Sequence, residues 1–456
     1  MTKGRWAGLW GAALAAVAAV PALAAPAIID GGRFGNVRLS EPAGEMRGLV
    51  VLFADHGAAS AVDDGAAAKL AAAGALVVEV DTDAYLATLN ALTDNKCLNL
   101  GGDIEGLSRQ LQHDRAYATY RSPILAGIGL GGALAGVALT QVPSATYAGA
   151  VAIDPAVVIP TKRALCPGAV GHAVAGGFRY GPFKDPQGFW SVGLTAAAPQ
   201  PVRGHVDLLT VKGTPIKQQD LADGTAPGDA LADLVAAQLA TADADPTGLG
   251  ALPLVEMPVD HPSDVMAIVL SGDGGWRDLD KSIAENLQHD GVPTVGWDSL
   301  RYFWSKKTPE ETAHALAQVM KAYMAKWHAS KVALVGYSFG ADVLPFAYNR
   351  LPAELRPHVL SMALLGFANN ADFEITMGGW LGAAPSDDAL PILPEVAKVP
   401  PALIQCFYGA DEDDTVCPAL AASGVEQVKT TGGHHFDGDY AALAKRILDG
   451  LRKRAG

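Results

Sequence analysis

Ser338 lies between two glycines, in Gly336-Tyr337-Ser338-Phe339-Gly340, directly after the apolar run Ala333-Leu334-Val335. A serine hydroxyl becomes a nucleophile when a sharp strand-to-helix turn exposes it and a base takes its proton. Such a turn demands small residues two positions before and two positions after the serine. Gly336 and Gly340 meet that demand, and the Phe339 N–H, opening the next helix, is placed where an oxyanion would form. A second N–H is expected from the loop behind an earlier strand, Ser271-Gly272-Asp273-Gly274-Gly275, with Asp273 preferred and Gly274 next. In this arrangement the acid and then the histidine follow the serine along the chain. The apolar strand Ala402 to Tyr408 leads into Gly409-Ala410-Asp411-Glu412-Asp413-Asp414-Thr415-Val416-Cys417-Pro418. The position just before the Val-x-Pro turn favours Asp414 as the acid, then Asp413. Thr430-Thr431-Gly432-Gly433-His434-His435 follows the last strand, and His434, directly after the glycines, is the expected base, with His435 as the alternative. The chemistry is acyl transfer to serine and then to water, which needs no cofactor. The histidine pair lacks a third ligand at metal-binding spacing, and the acidic run lacks the spacing of an EF-hand, so no metal is expected.

These residues require alternating strands and helices, and the sequence supplies that layout twice. Val265 to Leu270 enters the glycine loop, a second strand runs from Gly291 to Asp298, and a third ends at the serine turn. In the first half, Leu49 to Phe53 enters Ala54-Asp55-His56-Gly57, Gly74 to Val80 ends at Asp81-Thr82, and Pro123 to Ala126 enters Gly127-Ile128-Gly129-Leu130-Gly131. Asp81 and Asp298 are 217 residues apart and Gly129 and Ser338 are 209 apart, so the landmarks stay close to register. The expectation is an α/β protein of two tandem α/β-hydrolase-like domains from an internal duplication, the first lacking the nucleophile because Gly129 stands at the serine position. The expected boundaries are a signal peptide over 1–24, the degenerate domain over 25–245 and the catalytic domain over 246–456. The uncharged run Pro123 to Val142 reads as a strand, a glycine turn and a packed helix, since its glycines would weaken a lone spanning helix.

Composition narrows the function. Of 456 residues, 50% are hydrophobic and 18% charged, enough for large cores. A formal charge of −14 argues against a nucleic-acid surface and favours a cationic ligand. Lys3 and Arg5, the apolar stretch Trp6 to Val20, and Pro21-Ala22-Leu23-Ala24 have the layout of a cleavable secretory signal, so an exported chain in an oxidising compartment is expected. In that oxidising compartment the even count of four, Cys97 and Cys166 in the first half and Cys406 and Cys417 in the second, favours two disulfides, whose pairing the sequence leaves open.

The segments "LSGDGGW", "DSLRYFW", "GYSFGADVLP" and "GGHHFDGDY" together resemble the VirJ/AcvB family of bacterial virulence proteins, and the duplicated layout is similar to its longer, two-domain AcvB type. The resemblance implies a periplasmic α/β-hydrolase that cleaves lysyl-phosphatidylglycerol, an aminoacylated phospholipid at the membrane surface, into lysine and phosphatidylglycerol. It also implies a link to virulence and type IV secretion, with a secretion-system protein as partner. For such a dicationic aminoacyl group, Asp298 and Asp342 are candidate cation contacts, and Arg301 a candidate contact for the lipid phosphate. Two other readings fit the same motifs. One is a periplasmic binding or chaperone-like component, and the other is a general carboxylesterase or thioesterase.

Overall fold

Val265–Leu270 is apolar at every position, as expected of a strand covered on both faces of a parallel sheet. Runs of this kind organise both halves of the computed structural model, which describes residues 26–455 apart from 43, 56–60, 94–95, 144–145, 167, 184–185, 242–248, 250–251 and 377–385. The expected signal segment lies outside the described residues.

The first half contributes β1 (Ala27–Asp30), β2 (Asn36–Ser40), β3 (Gly48–Ala54), β4 (Ala75–Asp81), β5 (Ile124–Ile128), β6 (Gly149–Ile153), the hairpin β7 (Gly171–Val174) and β8 (Gly177–Tyr180), β9 (Phe189–Leu194) and β10 (Lys217–Asp220). The second contributes β11 (Leu254–Met257), β12 (Val265–Leu270), β13 (Thr294–Trp297), β14 (Lys331–Tyr337), β15 (Val359–Leu365), the ribbon β16 (Asn370–Ala371) and β17 (Leu390–Pro391), β18 (Ile404–Gly409) and β19 (Glu426–Thr430). The first sheet runs β1-β2-β4-β3-β5-β6-β9-β10 and the second β11-β13-β12-β14-β15-β18-β19. Without β1 the two orders match strand for strand, with β2 answering β11 and β5 answering β14. The first sheet begins with two antiparallel pairs, β1 on β2 and β2 on β4, and the second with one, β11 on β13, after which each continues parallel through the middle strands to the far edge. Both halves are therefore α/β domains of one architecture. The last helix of the first half ends at Thr241 and the second sheet starts at Leu254.

Each sheet is covered on both faces by buried apolar side chains. The apolar run around Gly129 is β5 followed by the helix Gly129–Ala138, and no helix among the described residues is long and apolar enough to cross a membrane. Gly136 allows this packing, because a Cβ there would lie 2.2 Å from the Trp190 ring. The helix Pro309–Trp327 starts at a capping box formed by Thr308 and Glu311, as Thr-Pro-Glu-Glu predicts.

Glu79, in the middle of β4, is 1% exposed, and burial raises its carboxyl from 4.5 to about 7 against the opposing pull of Arg38. The unfolded chain releases this proton near pH 4.5 and the folded chain holds it to about 7. Stability from this group is therefore fully present below about 4.5 and is lost as pH rises through about 7, by about 1.4 kcal/mol per unit at the steepest. Glu79→Gln is expected to flatten that slope. Urea unfolding at pH 5 and pH 8 should find the variant gaining on wild type at the higher pH, and an equal difference at both values would count against it.

Candidate active site

The turn after β14 places Ser338 at φ 49°, ψ −121°, a left-handed conformation that costs about 1–3 kcal/mol in a residue with a Cβ. Close approach, rather than flexibility, accounts for the flanking glycines. A Cβ on Gly336 would lie 2.6 Å from the Gly340 carbonyl group, and one on Gly340 would lie 2.4 Å from the Leu270 oxygen. The helix Phe339–Asn349 starts immediately, and the Ser338 N–H donates to Leu365 O at 2.8 Å, tying the turn to the end of β15.

Ser338 Oγ lies 2.9 Å from His434 Nε2, and His434 Nδ1 lies 2.6 Å from Glu412 Oε1. The imidazole is 42% exposed and the Glu412 side chain only 4%, so the ring meets solvent while its carboxylate partner is shielded. Gly366, at φ 60°, leaves room for the ring, since a Cβ there would lie 2.7 Å from His434 Cε1. His435 is turned aside, with its Nδ1 2.9 Å from the Tyr337 hydroxyl, and the same hydroxyl lies 3.3 Å from the His434 carbonyl.

The carboxylate on the imidazole is thus Glu412, in place of the expected Asp414 or Asp413. β18 ends at Gly409 and the chain turns at once, with Glu412 N–H donating to Gly409 O at 3.3 Å and Gly409 N–H donating to Glu412 Oε2 at 3.2 Å. That turn aims position 412 at the histidine. Asp414, two residues on, instead accepts from Asn369 Nδ2 at 2.6 Å, and Asp413 lines the cleft wall. The downstream end of the loop is fixed by the Cys406–Cys417 disulfide and by Val416 N–H donating to Phe367 O at 2.9 Å. The other disulfide joins Cys97 to Cys166. Replacing Cys406 and Cys417 together by alanine is expected to cost about 2–4 kcal/mol of stability. Denaturant unfolding would measure this, and a loss below about 0.5 kcal/mol would show that the loop needs no staple.

The loop Ser271–Arg277 supplies the other side of the site. Gly275 N–H donates to Gly272 O at 3.1 Å, closing a turn whose middle residues are Asp273 and Gly274. Gly272 sits beside the serine, since a Cβ on it would lie 3.6 Å from Ser338 Cβ. Its N–H is directed to the buried Asp280, whose carboxyl burial pushes well above its ordinary range. Among the described residues, the N–H groups of Asp273, Gly274 and Phe339 donate to no protein acceptor. Two faces of the site therefore present unengaged backbone donors.

The three suggested substrate contacts lie elsewhere. Asp298 is 4% exposed and caps the helix Ser299–Tyr302 by accepting from Arg301 N–H at 3.1 Å. Asp342 is 9% exposed and accepts from Ala368 N–H at 2.9 Å. Burial raises both carboxyls above their ordinary range, and each turns an oxygen to a backbone amide. Arg301 lines a separate hollow with Arg47 and Arg121, away from the serine cleft. The acids that line the cleft with Ser338 and His434, besides Glu412, are Asp273, Asp278, the buried Asp280, Asp411, Asp413 and Asp414, around a space of ≈ 890 Å³. Sequence order alone did not mark Asp278 or Asp411 as facing the serine.

The matching turn of the first half is closed. Gly129 has φ 52°, and the Asp55 carboxylate accepts from Leu130 N–H at 3.0 Å and Gly131 N–H at 2.9 Å, occupying the position where the second half leaves donors open. A Cβ on Gly129 would lie 2.6 Å from Asp55 Oδ2, so a side chain at position 129 and this placement of Asp55 exclude each other.

Strand order, the serine elbow and the histidine behind the last strand define an α/β-hydrolase fold. Residues 264–455 match the family described as "Bacterial virulence protein (VirJ)", a likeness that covers the second domain and leaves the first outside the matched span. Among solved structures, the chain is similar to DcsB in complex with its substrate analogue, at 16% identity and TM-score 0.30, covering 45% of this chain and 100% of that one. It is also similar to Est1E from Butyrivibrio proteoclasticus, at 12% identity and TM-score 0.32, covering 44% and 93%. For MenH from S. aureus the values are 12% and 0.34, covering 44% and 99%. A comparison with curated proteins returns no match.

Proposed function

We propose that the second domain is a serine carboxylic-ester hydrolase acting in the periplasm, with lysyl-phosphatidylglycerol as its substrate and lysine and phosphatidylglycerol as products. The observation that carries the hydrolase reading is the continuous line Ser338 Oγ, His434 Nε2, His434 Nδ1, Glu412 Oε1, with contacts of 2.9 and 2.6 Å. His434 takes the Ser338 proton as Oγ attacks the ester carbon. Phe339 N–H and Asp273 N–H hold the oxyanion, and the same histidine returns the proton to the leaving glycerol oxygen. Water then enters by the reverse proton path and frees the amino acid. Glu412 holds the tautomer and offsets the imidazolium charge.

Charge and the family likeness support this substrate class. A lysyl ester carries two ammonium groups, and six acidic side chains besides Glu412 line the cleft, one of them the buried Asp280, with Arg277 as the one basic side chain apart from the histidines among the described residues. The likeness to VirJ proteins and the two disulfides support a destination outside the cytoplasm. The test is release of lysine from lysyl-phosphatidylglycerol vesicles by the mature protein, beside a neutral short-chain ester. Lysine release that disappears in Ser338→Ala supports the whole assignment. Cleavage of the neutral ester alone leaves an esterase and removes the lipid, and inertness of folded protein toward both leaves a binding component.

A further inference from the structure

The loop that carries the Asp273 donor is held from the other domain. Arg109, on the first-domain helix Gly101–Asp114, is 1% exposed and donates from Nη2 to the Gly274 carbonyl at 3.4 Å. The same Nη2 donates to Glu105 Oε1 at 2.5 Å, one turn back on that helix. Glu105 Oε1 in turn accepts from Arg277 Nη2 of the second domain at 2.6 Å. One carboxylate thus bridges two guanidinium groups, and the pair grips the turn at Gly274 and again at Arg277, on either side of Trp276.

Stability alone does not explain this arrangement. A buried ion cluster loses about as much in desolvation as it gains in attraction, and apolar side chains would join the domains as well. Apolar contact is already present close by, where Tyr120 packs on Trp304 with ring centroids 4.9 Å apart. What charged, directional bonds add is orientation, and the group oriented is a four-residue turn that lies beside Ser338 and whose central N–H groups have no protein acceptor among the described residues. An oxyanion donor acts through its position, and a displacement near 1 Å costs about 10²-fold in rate.

We propose that Glu105 and Arg109 are positioning residues for the oxyanion loop, so that the domain without a nucleophile completes the transition-state site of the domain that has one. This rests on the hydrolase reading of Ser338. Charge on the substrate oxygen develops mainly in the transition state, so loosening the loop lowers kcat and leaves KM nearly unchanged.

The test uses the full mature chain with Glu105→Gln, Arg277→Gln and the double variant. It follows a neutral p-nitrophenyl ester, the rate of Ser338 labelling by a fluorophosphonate, and Tm. Each single variant is expected to lose about 10- to 100-fold in kcat with KM within about twofold, and labelling should slow in step. The double variant should fall no further than the weaker single one, since both changes cut the same link. Arg277 lies toward solvent, with its side chain 24% exposed, so its variant reads the link even if Glu105→Gln fails to fold. Tyr120→Leu weakens the Tyr120–Trp304 domain contact beside the clamp, where the Tyr120 hydroxyl bonds to Ser108 Oγ and makes no hydrogen bond to the loop, and it should lower Tm without the kcat loss. Unchanged kcat in the single variants, additive losses, or an equal kcat loss in Tyr120→Leu would each overturn the proposal. If wild type turns over the ester and labels while Glu105→Gln matches it, only the clamp fails. If wild type does neither, the hydrolase reading falls and the clamp falls with it.

Discussion

Ser338→Ala is expected to lower kcat for ester cleavage by on the order of 10⁶-fold while leaving the fold and KM close to wild type. The substitution removes one oxygen, the atom 2.9 Å from His434 Nε2. Alanine at φ 49° carries the same backbone strain as serine, so the elbow loses nothing by the exchange. The bonds that hold the elbow are main-chain bonds, from Ser338 N–H to Leu365 O at 2.8 Å and from Asp342 N–H to Ser338 O at 3.0 Å, and both survive. The unengaged donors at Phe339 and Asp273 also survive, and they account for the slow residual reaction expected over water. Steady-state turnover of the neutral ester, fluorophosphonate labelling and a thermal melt would be measured side by side. Turnover within tenfold of wild type would mean that Ser338 is not the nucleophile. The first domain offers no replacement, because Asp55 fills the corresponding anion site.

The duplication and the elbow were legible in the sequence because steric exclusion writes them there. Strands covered on both faces admit only apolar residues, and the turn admits only glycine where backbones approach within a Cβ radius, so Gly336, Gly340 and Gly127 stand out from their neighbours. His434 was legible for a similar reason, since Gly409, Gly432 and Gly433 crowd together and fix where the histidine loop leaves the sheet. Side-chain direction was not. Asp298 and Asp342 were expected near the serine from their places at a strand end and in the elbow helix, yet each turns its oxygens to a backbone N–H. For Asp298 a signal was present, because an Asp directly before Ser-Leu-Arg at a strand end is a helix cap. For Glu105 and Arg109 there was none. At spacing i, i+4 they read as an ordinary surface pair on a helix, and the loop they hold is 165 residues away.

Glu412→Gln is expected to lower kcat by about 10⁴-fold, while Asp413→Asn and Asp414→Asn stay within about tenfold of wild type. Glu412 Oε1 lies 2.6 Å from His434 Nδ1, where it accepts the Nδ1 proton and keeps Nε2 bare to receive the one from Ser338. A glutamine amide in that place can donate to Nδ1 instead. The ring then carries its proton on Nε2, facing the serine, and the base is lost although every atom stays near its position. The imidazolium formed during attack also loses its counter-charge, in a spot where the carboxylate is only 4% exposed and water screens poorly. Glu412→Asp keeps the charge but shortens the reach by one methylene, so its loss should fall between wild type and glutamine. Asp414 serves Asn369 rather than the histidine, and its replacement should lower Tm more than kcat. The set therefore separates the two carboxylates by kcat on one neutral ester. A large loss in Asp414→Asn beside a mild one in Glu412→Gln would return the acid to the position nearer the Val-x-Pro turn, and would mean that the loop between Gly409 and Cys417 rearranges when substrate binds.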